Sequence, residues 1–254
     1  MKSKTISFPA YRRKRKVLYG IIRTGVGERR REHVLSDIFG SHLRTTVPFH
    51  DEIQRLVVEL SEYFVRDHSV VYALGSSTGQ ILNLLSSTHR GKEDVELIGL
   101  DLSKSTINEA AKTVNKADVP IDHEAIMNIN FLPSTNFVTA LFTMQFLTVA
   151  ERRRLLTRVN QGLVEGGGLI MVEKVRAEHP RFENLWTELY GEFSRRQGLT
   201  AEEILQKAQS SRGILKPLSV AENRRLLHQS GFTNVDVFFK CYNWAGFLAI
   251  KKLT

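Results

Sequence analysis

The chain has 254 residues, 42% of them hydrophobic, and a formal net charge of +9. It can bury a sizeable core, which excludes a wholly disordered chain, and its single cysteine, Cys241, excludes an internal disulfide and fits a reducing, cytoplasmic setting. The charge is lopsided: residues 1–31 hold eleven Lys or Arg against one acid, Glu28, whereas the remainder sums to −1.

The basic arm, taken as residues 1–33, includes Arg12, Arg13, Lys14, Arg15 and Lys16, then Arg29, Arg30 and Arg31. Such a run can neutralise phosphates, so RNA contact through residues 1–31 is one expectation; a solvated tail and an organelle transit segment are the others. Its longest apolar run, residues 17–22, is too short to span a membrane, and no membrane partner is expected.

From residue 34 to 254 the pattern is that of one domain. Ile53, Leu56, Val57, Leu60 and Phe64 recur at helical spacing, which predicts an amphipathic helix over 51–65. A short buried strand follows at 70–74, then a turn of small residues, then a helix at 80–86. A second strand at 95–100 ends on Asp101. Ser103 reads as the N-cap of a helix whose apolar face is Ile107, Ala110, Ala111 and Val114. Further strands are predicted at 125–129, 137–143 and 169–172, with a helix at 152–163 that Gly166, Gly167 and Gly168 should stop. Residues 181–211 carry helical patterns and little strand signal, so they read as a helical cap or insertion. A helix over 220–230 and two strands, 235–241 and 245–250, close the chain as a hairpin. Alternating strands and helices of these lengths imply a doubly wound, mostly parallel α/β sheet of seven strands. That order looks like the class I methyltransferase fold.

Two places in this pattern can hold a ligand. Gly75, Ser76, Ser77, Thr78 and Gly79 turn the first strand into a helix, and small side chains let a ligand approach the backbone. Asp101 ends the neighbouring strand, where a carboxylate can accept two hydrogen bonds from a ribose. The spacing differs from the fuller glycine fingerprint of dinucleotide sites.

The motifs Tyr72-x-Leu74-Gly75-x-Ser77-x-Gly79, Phe142-Thr143-x-Gln145-Phe146-Leu147, Glu173-Lys174, Gln206-Lys207 and Cys241-Tyr242-Asn243 occur in one order along 34–251. On these the body resembles the carboxy-S-adenosyl-methionine synthase family of the class I methyltransferase superfamily. The resemblance implies S-adenosylmethionine, or its carboxylated derivative, as cofactor and a homodimer as assembly. It puts Gly75, Ser76, Ser77 and Asp101 on the methionine and ribose contacts and Asn128 and Ile129 beside the adenine; Gly79 and Leu102 are expected to bind the cofactor with them. Leu141 replaces an Asn that helps to bind the cofactor, Ala73 replaces an Asp, and His50 replaces a Tyr near the ligand. Ala208 stands where the family has the Arg that grips a carboxylate, with Lys207 and Arg212 as nearby cations. His50 and Glu173 are the candidate catalytic bases; each also reads as an ordinary structural polar residue.

Three readings follow. The first is transfer of a methyl group from S-adenosylmethionine to an acceptor that this sequence does not name. The second is carboxy-S-adenosyl-methionine synthesis from prephenate. The third is a non-catalytic binding module with a basic arm for nucleic acid.

Overall fold

The computed structural model describes residues 43–76, 79–100 and 129–253 in full, and 17–21 and 101 in backbone only. The body's mixed sheet contains β2 (Val70–Leu74), β3 (Glu96–Asp101), β4 (Thr135–Leu141), β5 (Leu163–Lys174), β6 (Asn234–Cys241) and β7 (Trp244–Ile250). Strand β1 (Val17–Ile21), within the stretch read as the arm, borders β3 in parallel. The order across the sheet is β1-β3-β2-β4-β5-β7-β6, with β7 antiparallel to both β5 and β6. The strand expected at 125–129 and the helix behind Ser103 fall outside the described residues, apart from Ile129, which is in no strand.

Every residue of β2 is buried, as a parallel strand covered on both faces requires. Alternate side chains feed two cores. Val70, Tyr72 and Leu74 join Leu155, Leu156 and Val159 of α4 (Val149–Gly162) and Leu226 and Leu227 of α7 (Val220–Gln229). Val71 and Ala73 face the other way, toward Ile53 and Val57 of α2 (His50–Ser61) and Ile81, Leu82 and Leu85 of α3 (Gln80–Thr88). A short helix, α1 (Leu43–Thr46), precedes α2. The region expected to be a cap is two helices, α5 (Pro180–Arg196) and α6 (Ala201–Ser211).

Helix starts are set by local chemistry. Thr148 and Glu151, Thr200 and Glu203, and Ser219 and Glu222 close capping boxes on α4, α6 and α7. The glycine run differs from expectation. Leu163 caps α4, and Gly166, Gly167 and Gly168 lie inside β5. A Cβ on Gly168 would sit 2.7 Å from the Phe64 ring, which stacks on Phe137 at 5.5 Å. Gly168 is thus selected by close packing against an aromatic ring, and Gly166 by its φ of +70°, neither of which local sequence displays.

Candidate active site

The turn after β2 is fastened to both neighbouring strands. The backbone N–H groups of Gly75 and Ser76 donate to the Leu100 carbonyl at 2.6 and 3.0 Å, at the C-terminal end of β3. On the other side, the Thr143 hydroxyl lies 2.9 Å from the Leu74 carbonyl and 3.0 Å from that of Leu141. Gly75 has φ +74°, and a Cβ there would meet Thr143 Oγ1 at 1.8 Å. Glycine is therefore demanded twice, by the backbone angle and by Thr143. Sequence reasoning assigned the slimness of Gly75 to a ligand and missed Thr143 as its immediate neighbour.

Ser76 is only 3% exposed, and among the described residues its Oγ has no hydrogen-bond partner. A buried hydroxyl without a partner costs free energy, and its place in the strand-to-helix turn fits a ligand's polar group. Gly79, with φ +80°, directly precedes α3. Asp101 is the last residue of β3 and pairs with Ile21 along the backbone. The Asp101 side chain, Ser77, Leu102 and Asn128 lie outside the described residues.

The remaining expected site residues fall on two sides of the sheet. Leu141 is 7% exposed and packs in the core beneath α2, the core that also holds Ala73. Ile129 is half-buried against the opposite core, and its carbonyl accepts from Arg158 Nε at 3.2 Å. Ala208 and Arg212 are exposed, and α6 fully buries none of its residues. Lys207 is half-buried, and desolvation lowers the pKa of its ammonium despite the counteracting charge of Glu203.

His50 opens α2 and is 5% exposed. Its Nδ1 lies 3.0 Å from Asp51 Oδ1, which can only accept, so that nitrogen carries the proton. Its Nε2 then accepts from Gln54 Nε2 at 3.1 Å. The His50 hydrogen bond lowers the pKa of Asp51, desolvation opposes it, and the charge of Arg44 adds a weaker lowering. The ring stacks on Phe142 with centroids 6.1 Å apart. Phe142 follows β4 at φ +59°, a left-handed angle costly for a bulky residue, and meets Trp244 edge-on at 5.5 Å. Lys174, at the end of β5, sets its ammonium 5.3 Å from the centre of the Tyr190 ring. Burial lowers the pKa of Lys174, with the charge of Glu183 opposing. The Tyr190 hydroxyl donates to the Thr46 carbonyl at 2.8 Å. Phe142, Trp244, Tyr190 and Lys174 were not selected as site residues from sequence. Only a positive backbone angle or a ring contact identifies them.

Glu173 is 0% exposed. Its Oε1 accepts from the Met144 N–H at 2.9 Å, and Oε2 has no partner. Desolvation pushes its pKa up to about 8, against the lowering effects of the Arg152 charge and the Met144 and Gln145 N–H groups. The structure thus encloses this carboxyl behind the turn that follows β4, among structural contacts.

A family described as "Methyltransferase domain" matches residues 71–167. The chain is 34% identical over 213 residues to a carboxy-S-adenosyl-L-methionine synthase of Staphylococcus epidermidis, covering 84% of this chain and 92% of that one. It is 33% identical over 221 residues to the synthase of the same name from Methylococcus capsulatus, covering 85% and 91%. Among solved structures, a phosphoethanolamine N-methyltransferase of Haemonchus contortus shares the fold at TM-score 0.57 and 13% identity, over 87% of this chain and 57% of that one. A SAM-dependent methyltransferase of Methanosarcina mazei does so at TM-score 0.53 and 15% identity, over 77% and 98%.

Proposed function

The chain belongs to the carboxy-S-adenosyl-L-methionine synthase family, and from that premise we propose that it is a transferase that binds S-adenosylmethionine and passes on its methyl group. The observation that carries this reading is the buried, unpartnered Ser76 hydroxyl in a turn pinned to β3 and β4. When bound, the cofactor supplies a methyl carbon already activated on a sulfonium. Ser76 would hold the amino-acid end, and Asp101 the ribose. Most of the protein's work is then alignment and exclusion of water.

His50 is the proton acceptor in this reading. Its Nε2 is occupied by Gln54, but the buried Gln54 Oε1 has no partner. A flip of that amide lets Oε1 accept from a protonated ring whose other N–H stays on Asp51. Glu173 acts here as a positioning residue through the Met144 N–H.

The second reading is synthesis of carboxy-S-adenosyl-L-methionine from prephenate, which the names of both relatives favour. Ala208 weighs against it, since a carboxylate in a closed site needs a paired cation. Mass spectrometry of the ligand released from purified protein separates the two. Unmodified S-adenosylmethionine supports methyl transfer, and a ligand heavier by one carboxylate overturns it. Absence of both, with no heat of binding for added S-adenosylmethionine, leaves the non-catalytic module. We further propose RNA contact by the arm, on the +10 charge of residues 1–31, and a homodimer, as the motif resemblance implies.

A further inference from the structure

Outside residues 1–31 the chain carries a net charge of −1, but two of its helices, α4 and α7, carry more arginines than acids. The acids of α4 and α7, Glu151 and Glu222, sit at the first turn and close capping boxes. Glu222 also holds Arg176. Downstream, α4 carries Arg153, Arg154 and Arg158, and α7 carries Arg224 and Arg225. Among the described residues, Arg153, Arg154, Arg224 and Arg225 have no ion-pair or hydrogen-bond partner. The two helices pack against each other over one core, so their exposed arginines lie on the same side of the sheet. The acids Asp51, Glu52 and Glu59 lie on α2, across the sheet.

That face is grooved. A cleft of about 830 Å³ runs along α4 and is lined by Arg153, Arg154, Arg158, Phe131, Asn130 and Gln161. Arg158 is braced on the Ile129 carbonyl and Asn130 Oδ1, which fixes one wall. A second cleft of about 570 Å³ carries Arg224, Arg225 and His228. Guanidinium groups bind phosphate in a planar, two-pronged manner that lysine does not match. The exposed Asn130 amide at the cleft's edge adds a polar partner beside the guanidinium groups.

We propose that the α4–α7 face binds single-stranded nucleic acid through its phosphodiester backbone, independently of the cofactor site. RNA and DNA share that chemistry.

The test is fluorescence anisotropy of the full chain with 20-nucleotide single-stranded RNA and DNA across a potassium chloride series. One variant combines Arg153→Ala, Arg154→Ala, Arg224→Ala and Arg225→Ala. A second replaces Arg12, Arg13, Lys14, Arg15 and Lys16 by Ala. The first variant is expected to bind at least about tenfold more weakly, and its slope of log affinity against log salt to fall by about 3, at roughly 0.7 per lost phosphate contact. Its heat of binding S-adenosylmethionine should stay unchanged. A preference for RNA over DNA names the source and keeps the proposal. Wild-type affinity and slope in the first variant overturn it, as does loss of binding in the second variant alone. Binding to phosphatidylserine vesicles without binding to either oligonucleotide also overturns it. Should the fourfold variant fail to fold, the Arg153→Ala/Arg154→Ala and Arg224→Ala/Arg225→Ala pairs give the same readout in halves.

Discussion

Gly75 and Ser76 are adjacent, yet different forces select them. Gly75 answers to the fold: its φ of +74° and the Thr143 hydroxyl leave no space for a methyl group. Gly75→Ala should lower stability by at least about 2 kcal/mol in a urea titration, combining left-handed strain with the clash. Adding Thr143→Ala should relieve only part of that loss, because the Thr143 Cβ would still lie 2.9 Å from the new methyl group; a double-mutant cycle measures the coupling. Ser76 answers to no protein atom, so Ser76→Ala should leave stability within about 0.5 kcal/mol. Under the proposed function it should weaken S-adenosylmethionine binding by about 1 kcal/mol, and Asp101→Ala by about 1–3 kcal/mol, in calorimetry. Unchanged affinity in both variants would remove the assigned contacts.

At the level of elements, two buried titratable groups join neighbouring segments and respond to pH in opposite directions. Glu173 ties β5 to the turn at Met144–Phe146, with its carboxyl pushed up to about 8 chiefly by desolvation. Its folded pKa lies above the ordinary value of 4.5, so the folded state binds the extra proton. Its contribution to stability is full below 4.5 and is lost as pH rises through about 8, by up to about 1.4 kcal/mol per pH unit. Glu173→Gln should flatten that decline in denaturant midpoints measured from pH 5 to 8. His89, 2% exposed, bridges Ser61 at the end of α2, at 2.8 Å, and Lys92, at 3.0 Å. Desolvation first, then the Lys92 charge, lowers its pKa from 6.5 to about 4. The unfolded chain then binds the extra proton, so this contribution is present above 6.5 and is lost as pH falls through about 4. His89→Gln should remove a loss of stability between pH 6.5 and 4, read by the same titration.

For the whole molecule, the sheet divides two tasks. On one side, α2, together with Tyr190 of α5, places His50, Phe142, Trp244 and Lys174 near the C-terminal ends of β4 and β5. On the other, α4 and α7 complete the larger core and turn Arg153, Arg154, Arg224 and Arg225 outward, while Arg152 is buried on the Leu147 and Lys216 carbonyls. Among the described residues no helix is long and apolar enough to cross a membrane. Chemistry at the strand ends and charge on the opposite helices can therefore be altered separately, which makes independent variants of each side a fair test.

The alternation of short apolar runs with helical spacing was enough to fix the parallel sheet, the helical region at 181–211 and the terminal hairpin. Burial on both faces of a strand leaves a continuous apolar signature, as in Val70–Leu74. Sequence motifs likewise located the turn at Gly75–Gly79 and the family. Tertiary structure alone decided which small residues serve packing and which polar groups lack partners. Gly168 makes room for Phe64 and Gly75 for Thr143, residues 104 and 68 positions away in sequence. Glu173 was chosen as a strand-end acid, but the turn after β4 encloses it. Periodicity reports which face of an element is apolar; it carries no information on what a side chain touches across the sheet, because that depends on contacts between residues distant in sequence.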